Sequence, residues 1–320
     1  MQLLKKLFGQ KTTSRGIVAI SFLKQGFAIA IADFTEVNSI KLRHCEFITT
    51  SELQEQLEKI VKKHQLTEFD CHLLLTSDHY RIINIEAPVV ADDEMKEAIR
   101  WKLNDLIDVP VDQAEIDFFF MPPAKHTSAA QMLNAIASSS EVLKKLIEPC
   151  FAAELNIKVI DIQETALRNL AVLLPENERG IALLHLQKNS GMIIIQKDGM
   201  IYLSRKLNTG FEQLGLLDTD SVSEENQSTD QLNNLTLEIQ RSLDYVESFY
   251  GLPPISGLAV IPLEKNTQKL LDFFNGNQGI TARIMDISAT MELDFLLNDA
   301  TQSLCSPVIG ATLRYEVDAA

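Results

Sequence analysis

The chain has 320 residues, 46% of them hydrophobic, and its 29 Lys and Arg against 44 Asp and Glu give a net charge of −15. That length supports about two domains with a sizeable core, and 13 Gly with 10 Pro exclude a collagen-like or low-complexity chain. The acidic balance, with no basic stripe, argues against a nucleic-acid partner.

Residues 1–14 read as a separate tail. If helical, they place Leu3, Leu4, Leu7 and Phe8 on one face, with Lys5 and Lys6 off it and Lys11 following. That pattern suits weak contact with an anionic membrane surface or a partner, and equally a frayed terminus. The segment lacks the long apolar core and small-residue cleavage site of a secretory signal. No apolar stretch reaches the roughly 20 residues of a membrane span. The nearest, 16–34, is interrupted by Lys24, Gln25 and Gly26 and reads as strand, tight turn and strand.

A third strand follows at 39–48. Ser51 with Gln54 then forms a capping box for a helix ending near His64, and 71–76 and 80–86 are two further strands of a mixed sheet with a helix-covered face. From Asp92 a helix carries Met95, Ile99, Leu103, Leu106 and Ile107 on one stripe until Val109-Pro110 stops it. Strands at 114–121 and 131–138 flank a Pro-, Ser- and Ala-rich loop, and a helix follows over 140–155. After a strand at 157–161 and a helix over 163–174, the turn 175–180 separates the lobes. The second lobe opens with another three-strand meander, tightly turned at Asp198-Gly199. Residues 211–230 hold six acidic residues and no basic one, which reads as a solvated loop. An amphipathic helix over 232–250 then carries Leu232, Leu235, Ile239, Leu243, Val246 and Tyr250, and GLAVIPL (257–263) is a buried strand. The two meanders form a weak internal echo.

The side chains with chemical potential have structural readings. Cys45, Cys71, Cys150 and Cys305 form no CxxC pair, so neither a disulfide framework nor a zinc ribbon is indicated and a reducing cytoplasm fits. His44-Cys45 and Cys71-His72 lie in strands, where neighbours point to opposite faces; core cysteines and edge histidines follow. Asp78-His79 reads as a turn and Lys188-Asn189-Ser190 as a solvated hairpin tip. Arg241, three residues from both Glu238 and Asp244, is expected to pair along its own helix. Trp101 lies about 200° around its helix from Ile99 and from Leu103, so it points away from the burying stripe, toward a neighbouring lobe or a docking partner.

Four stretches in order, DEMKEAIRWKLNDLIDVPVDQAEIDFFF (93–120), LNIKVIDIQETALRNLA (155–171), LEIQRSLDYVESFYGLPPISGLAVI (237–261) and PVIGATLR (307–314), together resemble the PilM family. These are the actin-like cytoplasmic proteins of type IV pilus assembly, and the resemblance is nearest to the MshI branch of mannose-sensitive haemagglutinin (MSHA) pilus biogenesis. It implies an α/β, bilobal actin-like (ribonuclease H-like) fold with a small inserted α+β subdomain and a reduced second lobe. The implied divisions are 15–86 first lobe, 87–156 insert, 157–177 return to the first lobe, 178–304 second lobe, and 305–320 a C-terminal helix returning to the first lobe.

In such folds a hairpin from each lobe grips ATP with magnesium, which needs glycines for close backbone approach and carboxylates for the metal. The first hairpin here is GIVAISFLKQG, with Val18 or Ala19 in place of the carboxylate and Ile20 near the second glycine. The second, His185 to Gly191, has no acid and one late glycine, and Pro262 to Asn266 replaces a glycine-rich adenosine loop. About 20 residues between Gly210 and Asp230 leave little room for a nucleotide lid. The expectation is therefore no cofactor, no metal, no catalytic residue and no ATP hydrolysis: a non-enzymatic cytoplasmic scaffold at the inner face of the inner membrane. The family holds the N-terminal cytoplasmic peptide of a PilN-like bitopic inner-membrane protein in a groove between insert and first lobe. By resemblance, Trp101, Leu106, Val109, Phe118, Phe119 and Phe120 line it, and the pilus assembly ATPase is a further partner. The rivals are a working actin-like ATPase and a GspL-like scaffold of type II secretion, a family that continues into a membrane span.

Overall fold

The computed structural model describes residues 14–35, 40–125, 130–216, 225–255, 257–276 and 280–314. Residues 1–13 of the expected amphipathic tail at 1–14, and 217–224 of the acidic stretch, lie outside them. The chain divides into two compact units, Met1–Gln163 and Glu164–Ala320.

The first unit opens with β1 (Gly16–Leu23), β2 (Gly26–Phe34) and β3 (Ile40–Thr49), an antiparallel meander rich in the β-branched and aromatic residues that fit a buried sheet. Lys24 and Gln25 make the first turn, and a Cβ on Gly26 would stand 1.8 Å from the Ile48 carbonyl oxygen, so only glycine lets β3 approach there. Helix α1 (Leu53–His64) leads to β4 (Asp70–Leu75), parallel to β1. The expected capping box does not form. The Thr50 hydroxyl takes the Glu52 N–H at 2.9 Å, Gln54 donates to Glu58 at 2.8 Å, and the helix starts two residues beyond Ser51 without a side-chain cap.

After β4 the chain builds a separate small sheet from β5 (Arg81–Glu86), helix α2 (Met95–Leu103), β6 (Ala114–Phe120) and β7 (Met132–Ser139), in the order β5-β7-β6. The sequence reading placed 80–86 in the main sheet and began the insert at 87. Instead, Ile82 and Asn84 pair with Ile136 and Asn134 of β7, so the small sheet starts at Arg81. Helix α3 (Ser140–Ala152), capped by the Ser139 hydroxyl, returns the chain to β8 (Asn156–Ile162), parallel to β4. The main sheet of this unit thus runs β3-β2-β1-β4-β8. Val18, Ile20, Ile29, Ile31 and Leu73 pack with Leu57 and Val61 of α1 and Cys150 of α3 into one core.

The second unit follows the same plan. After helix α4 (Gln163–Val172), which belongs to it from Glu164 on, come β9 (Ile181–Leu186), β10 (Gly191–Lys197), β11 (Met200–Leu207), helix α5 (Glu225–Tyr250), β12 (Gly257–Val260), helix α6 (Thr267–Gly276), β13 (Thr281–Ile284) and helix α7 (Asp299–Thr312). The sheet order is β11-β10-β9-β12-β13, antiparallel through the meander and parallel across β9, β12 and β13. The faint echo between the meanders is therefore a duplication of the whole sheet.

Asp198 and Gly199 have φ of 51° and 74°, the left-handed pair that a two-residue hairpin turn requires. Helix α5 begins at Glu225, so 225–230 is helical where a loop was expected; the six predicted apolar positions from Leu232 to Tyr250 are all buried. The two compact units meet between Gln163 and Glu164. Asn169 of α4 donates to the Gly310 carbonyl of α7 at 3.0 Å, and a Cβ on Gly310 would stand 2.0 Å from the Ala166 carbonyl oxygen. Both stretches were assigned to the first lobe from sequence, whereas this contact binds them together in the second unit. Helix α7 starts at Asp299, earlier than 305, because Asn298 caps it through the Thr301 N–H at 2.8 Å. Among the described residues no helix is long and apolar enough to cross a membrane.

Candidate functional site

Two places bear on function: the small sheet of the first unit, and the hairpins at which a nucleotide would sit. On the small sheet, Met95, Ile99 and Leu103 of α2 bury against Ile85, Ala114, Ile116, Leu133 and Ala135. Polar ties fix the helix in place. Arg100 donates to the Val111 carbonyl and, at 3.1 Å, to the Ala114 carbonyl; Lys102 donates to the Glu86 carbonyl at 2.9 Å, and Lys96 meets Asp117 at 3.0 Å. Trp101, held between Arg100 and Lys102, therefore faces outward and is 75% exposed, as its angular position predicted.

The other nominated residues separate by face. Phe118 and Val109 pack at the edge of the α2-side core, and Phe120 meets Phe118 edge-on at 5.6 Å while 47% exposed. Phe119 points to the opposite face, against the cluster of Leu75, Tyr80, Leu143 and Ile162. Strand alternation separates it from its neighbours, so it cannot share a lining with them. Leu106 is not on the helix. α2 ends at Leu103, and Asn104 and Asp105 bond each other at 3.1 Å in the turn beyond, where Leu106 is 55% exposed; short polar side chains of this kind compete with helical hydrogen bonds. Trp101 makes no ring contact among the described residues. Sequence reasoning missed Val89 and Val90, which are exposed before α2; the run APVVADD lacks any periodicity that would have assigned them a buried face.

The hairpin positions are built differently. Val18, Ala19 and Ile20 are wholly buried in the first unit's sheet. In the second unit, His185 of β9 is buried and its Nε2–H donates to the Ser303 carbonyl oxygen of α7 at 2.9 Å. That carbonyl needs an outside donor because Pro307, four residues on, has no N–H to close the helical turn. Burial pushes the imidazole below its ordinary pKa, with the Ser303 carbonyl opposing.

At the tip, Gln187 N–H bonds the Ser190 carbonyl at 2.7 Å, while the Gln187 and Lys188 carbonyls accept from the N–H groups of Phe211 and Glu212 at 3.0 Å each. Lys188 also meets Glu212 at 3.4 Å. A Cβ on Gly210 would lie 2.3 Å from the Gln187 carbonyl oxygen, so the turn 210–216 presses directly on the hairpin. The loop after β12 is tied to the same turn, since Asn266 donates to the Leu216 carbonyl at 2.9 Å. A phosphate cradle needs several N–H groups converging on one space, and a carboxylate for the metal. The hairpin 185–191 carries no carboxylate of its own, and the carbonyls of Gln187 and Lys188 are taken by the 210–216 turn.

Other candidates resolve as structure. All four cysteines are buried and none forms a disulfide; Cys150 bonding and burial raise the Cys71 thiol well above its usual range. His72 is buried in β4 between β1 and β8, not at a sheet edge. His79 lies in a turn, its Nδ1 accepting from the Thr76 N–H at 3.3 Å. Among the described residues no group of three or more His, Cys, Asp or Glu could hold a metal ion.

Residues 12–227 match the family described as Type IV pilus assembly protein PilM. The structure resembles that of the PilM-PilN type IV pilus biogenesis complex, at TM-score 0.68 and 16% identity, over 94% of this chain and 98% of that one. It also matches the cytoplasmic domain of EpsL, an inner-membrane component of the type II secretion system of Vibrio cholerae (TM-score 0.47, 13% identity, 92% and 94% covered). A third match is an actin-like ATPase-fold protein of unknown function from Bacteroides thetaiotaomicron (TM-score 0.49, 11% identity, 88% and 93%). No curated protein matches the sequence significantly. The fold is the mixed α/β architecture of the PilM structure that it resembles, with two sheets of like strand order and a small inserted subdomain.

Proposed function

The chain belongs to the PilM family of type IV pilus assembly proteins, and on that footing we propose that it is a non-enzymatic scaffold of an MSHA-type pilus machine, in the family's MshI branch. In this reading it sits in the cytoplasm at the inner membrane and holds the N-terminal peptide of a PilN-like subunit against the small sheet. It thereby links that subunit to the assembly machinery. The carrying observation is where the first unit exposes its large apolar side chains. Val89, Val90, Trp101, Leu106 and Phe120 all belong to the small-sheet segment, whereas only Phe34 and Phe151 are exposed elsewhere among that unit's described residues. Such clustering marks interaction surfaces, and tryptophan is the side chain most enriched at binding hot spots. A PilN-like partner is supported by the complex that this chain resembles.

Two further features support a scaffold that works without nucleotide: the buried His185 and the mutual bonding of the 187–190 tip with the 210–216 turn. The test is a titration of the full chain with a labelled peptide from the cytoplasmic terminus of the PilN-like subunit, read by anisotropy. Saturable binding that Trp101→Ala weakens is the expected result; absence of binding at high micromolar peptide overturns the docking role. Calorimetry with ATP and magnesium is the second arm, where tight binding or a large melting shift would overturn the nucleotide-free reading alone.

A further inference from the structure

We infer, resting on the docking role proposed above, that the peptide held against the small sheet is cationic, and that one of its Lys or Arg side chains lies over the Trp101 ring beside Glu94 and Glu97. Residues 81–120 make up an eighth of the chain yet hold four Lys and Arg against ten Asp and Glu, a net −6 of the −15 carried by the whole. All four cations are already engaged. Lys96 meets Asp117 at 3.0 Å, Lys102 donates to the Glu86 carbonyl at 2.9 Å, Arg100 donates to the Val111 and Ala114 carbonyls, and Arg81 meets Asp108 at 3.7 Å.

The carboxylates in line with Trp101 are left open. Glu94 keeps helical dihedrals at the start of α2, so at about 100° per residue Glu97 and Glu94 lie one and two turns before Trp101 and within about 40° of its direction. Both are exposed. Glu97 meets Arg100 only at 3.9 Å, and Glu94 enters no ion pair among the described residues. Carboxylates in a first helical turn are favoured by the helix dipole whatever stands beside them, but the dipole does not account for a 75% exposed tryptophan in line with them. A ring face with two carboxylates alongside attracts a guanidinium or an ammonium, through the ring quadrupole and through charge. An anionic peptide is repelled by the same groups, and a purely apolar one gains nothing from them. Cytoplasmic segments beside membrane helices carry an excess of Lys and Arg, so the terminus of a bitopic inner-membrane subunit has the chemistry that this face selects. Val89, Val90 and Phe120 remain for apolar side chains of the same peptide.

The test uses the full chain and two labelled peptides, read by anisotropy: the cytoplasmic terminus of the PilN-like subunit, and the same sequence with every Lys and Arg replaced by Gln. Raising salt from about 0.05 to 0.5 M should weaken the first about tenfold and the second hardly at all. Glu94→Gln combined with Glu97→Gln should weaken the first about three- to tenfold and leave the second within about twofold. Trp101→Leu, which keeps an apolar side chain but no ring, should weaken the first at least about threefold more than the second. These positions are exposed, and unchanged melting curves will show that the variants fold. A native terminus that binds yet carries no Lys or Arg, an affinity indifferent to salt, or equal effects of the Glu substitutions on both peptides overturns the inference and leaves the docking role standing. Absence of binding by the native peptide overturns the docking role, and this inference with it.

Discussion

Replacing His185 by leucine removes the donor that satisfies the Ser303 carbonyl, and the cost can be worked from the structure. Both groups are buried, the bond is 2.9 Å long, and Pro307 has already deprived that carbonyl of its helical partner. An unsatisfied buried acceptor costs about 1–3 kcal/mol, so His185→Leu should lower stability by that amount. Pro307→Ala supplies an N–H to the same carbonyl from within α7. In that background His185→Leu should therefore cost about 1–2 kcal/mol less, the coupling expected of groups sharing one acceptor. Urea unfolding of the four proteins, followed by far-UV circular dichroism, measures the cycle. Additivity within about 0.3 kcal/mol would refute the claim that His185 serves the proline-freed carbonyl.

The same histidine gives a pH signature. Its pKa is lowered in the fold, so stability is full above its ordinary value of about 6.5 and is lost as pH falls from there toward the folded value; melting between pH 8 and pH 5 should show a loss that His185→Leu reduces. Gly310→Ala places a methyl group 2.0 Å from the Ala166 carbonyl oxygen. Overpacking of about 1–3 kcal/mol should exceed the roughly 1 kcal/mol of helix propensity gained, and an unchanged or raised urea midpoint would contradict the close α4–α7 contact. Trp101→Ala should shift the melting temperature by less than about 2 °C while weakening peptide binding about tenfold. Phe119→Ala, by contrast, should cost about 2 kcal/mol of stability through lost packing on Leu75, Tyr80 and Leu143, whereas Phe120→Ala should be nearly neutral for stability.

Most elements were legible because their signals are local. Alternating β-branched runs mark β1 to β3, an Asp-Gly pair marks the β10–β11 turn, and helical spacing marks the buried stripe of α5. Sheet membership was not legible, since nothing within 81–86 says whether its partner will be β4 or β7; that choice is made by residues some fifty positions away. Helix ends were lost to side-chain competition, as at Asn104-Asp105, and to Gln54 bonding Glu58 where a capping box would have it reach back to Ser51. For the candidate site, Trp101 was readable from angle alone. The sequence could not tell that three consecutive phenylalanines part company, Phe118 against one core, Phe119 against the other and Phe120 left exposed, because both faces of β6 carry apolar groups and alternation then gives no preferred side.

The duplication itself indicates where a binding role would settle. In the second unit the connection from β12 to α6 is the short loop 261–266; in the first, the corresponding step from β4 to α3 takes residues 76–139 and contains the whole small sheet. Strands β1 to β4 and β8 each have a counterpart among β9 to β13, so their side chains are committed to a core that the shared topology imposes. The small sheet has no counterpart. It buries one face of α2 and part of each face of β6, and leaves Trp101 and Phe120 uncovered. A segment free of the constraint that fixes the rest, anchored by Arg100 and Lys102 yet apolar at its surface, is where contact with another protein can be gained without disturbing either main sheet. A partner found instead to bind equally to the chain with 81–139 replaced by a short loop, provided that variant folds, would show that the duplicated sheets carry the recognition themselves.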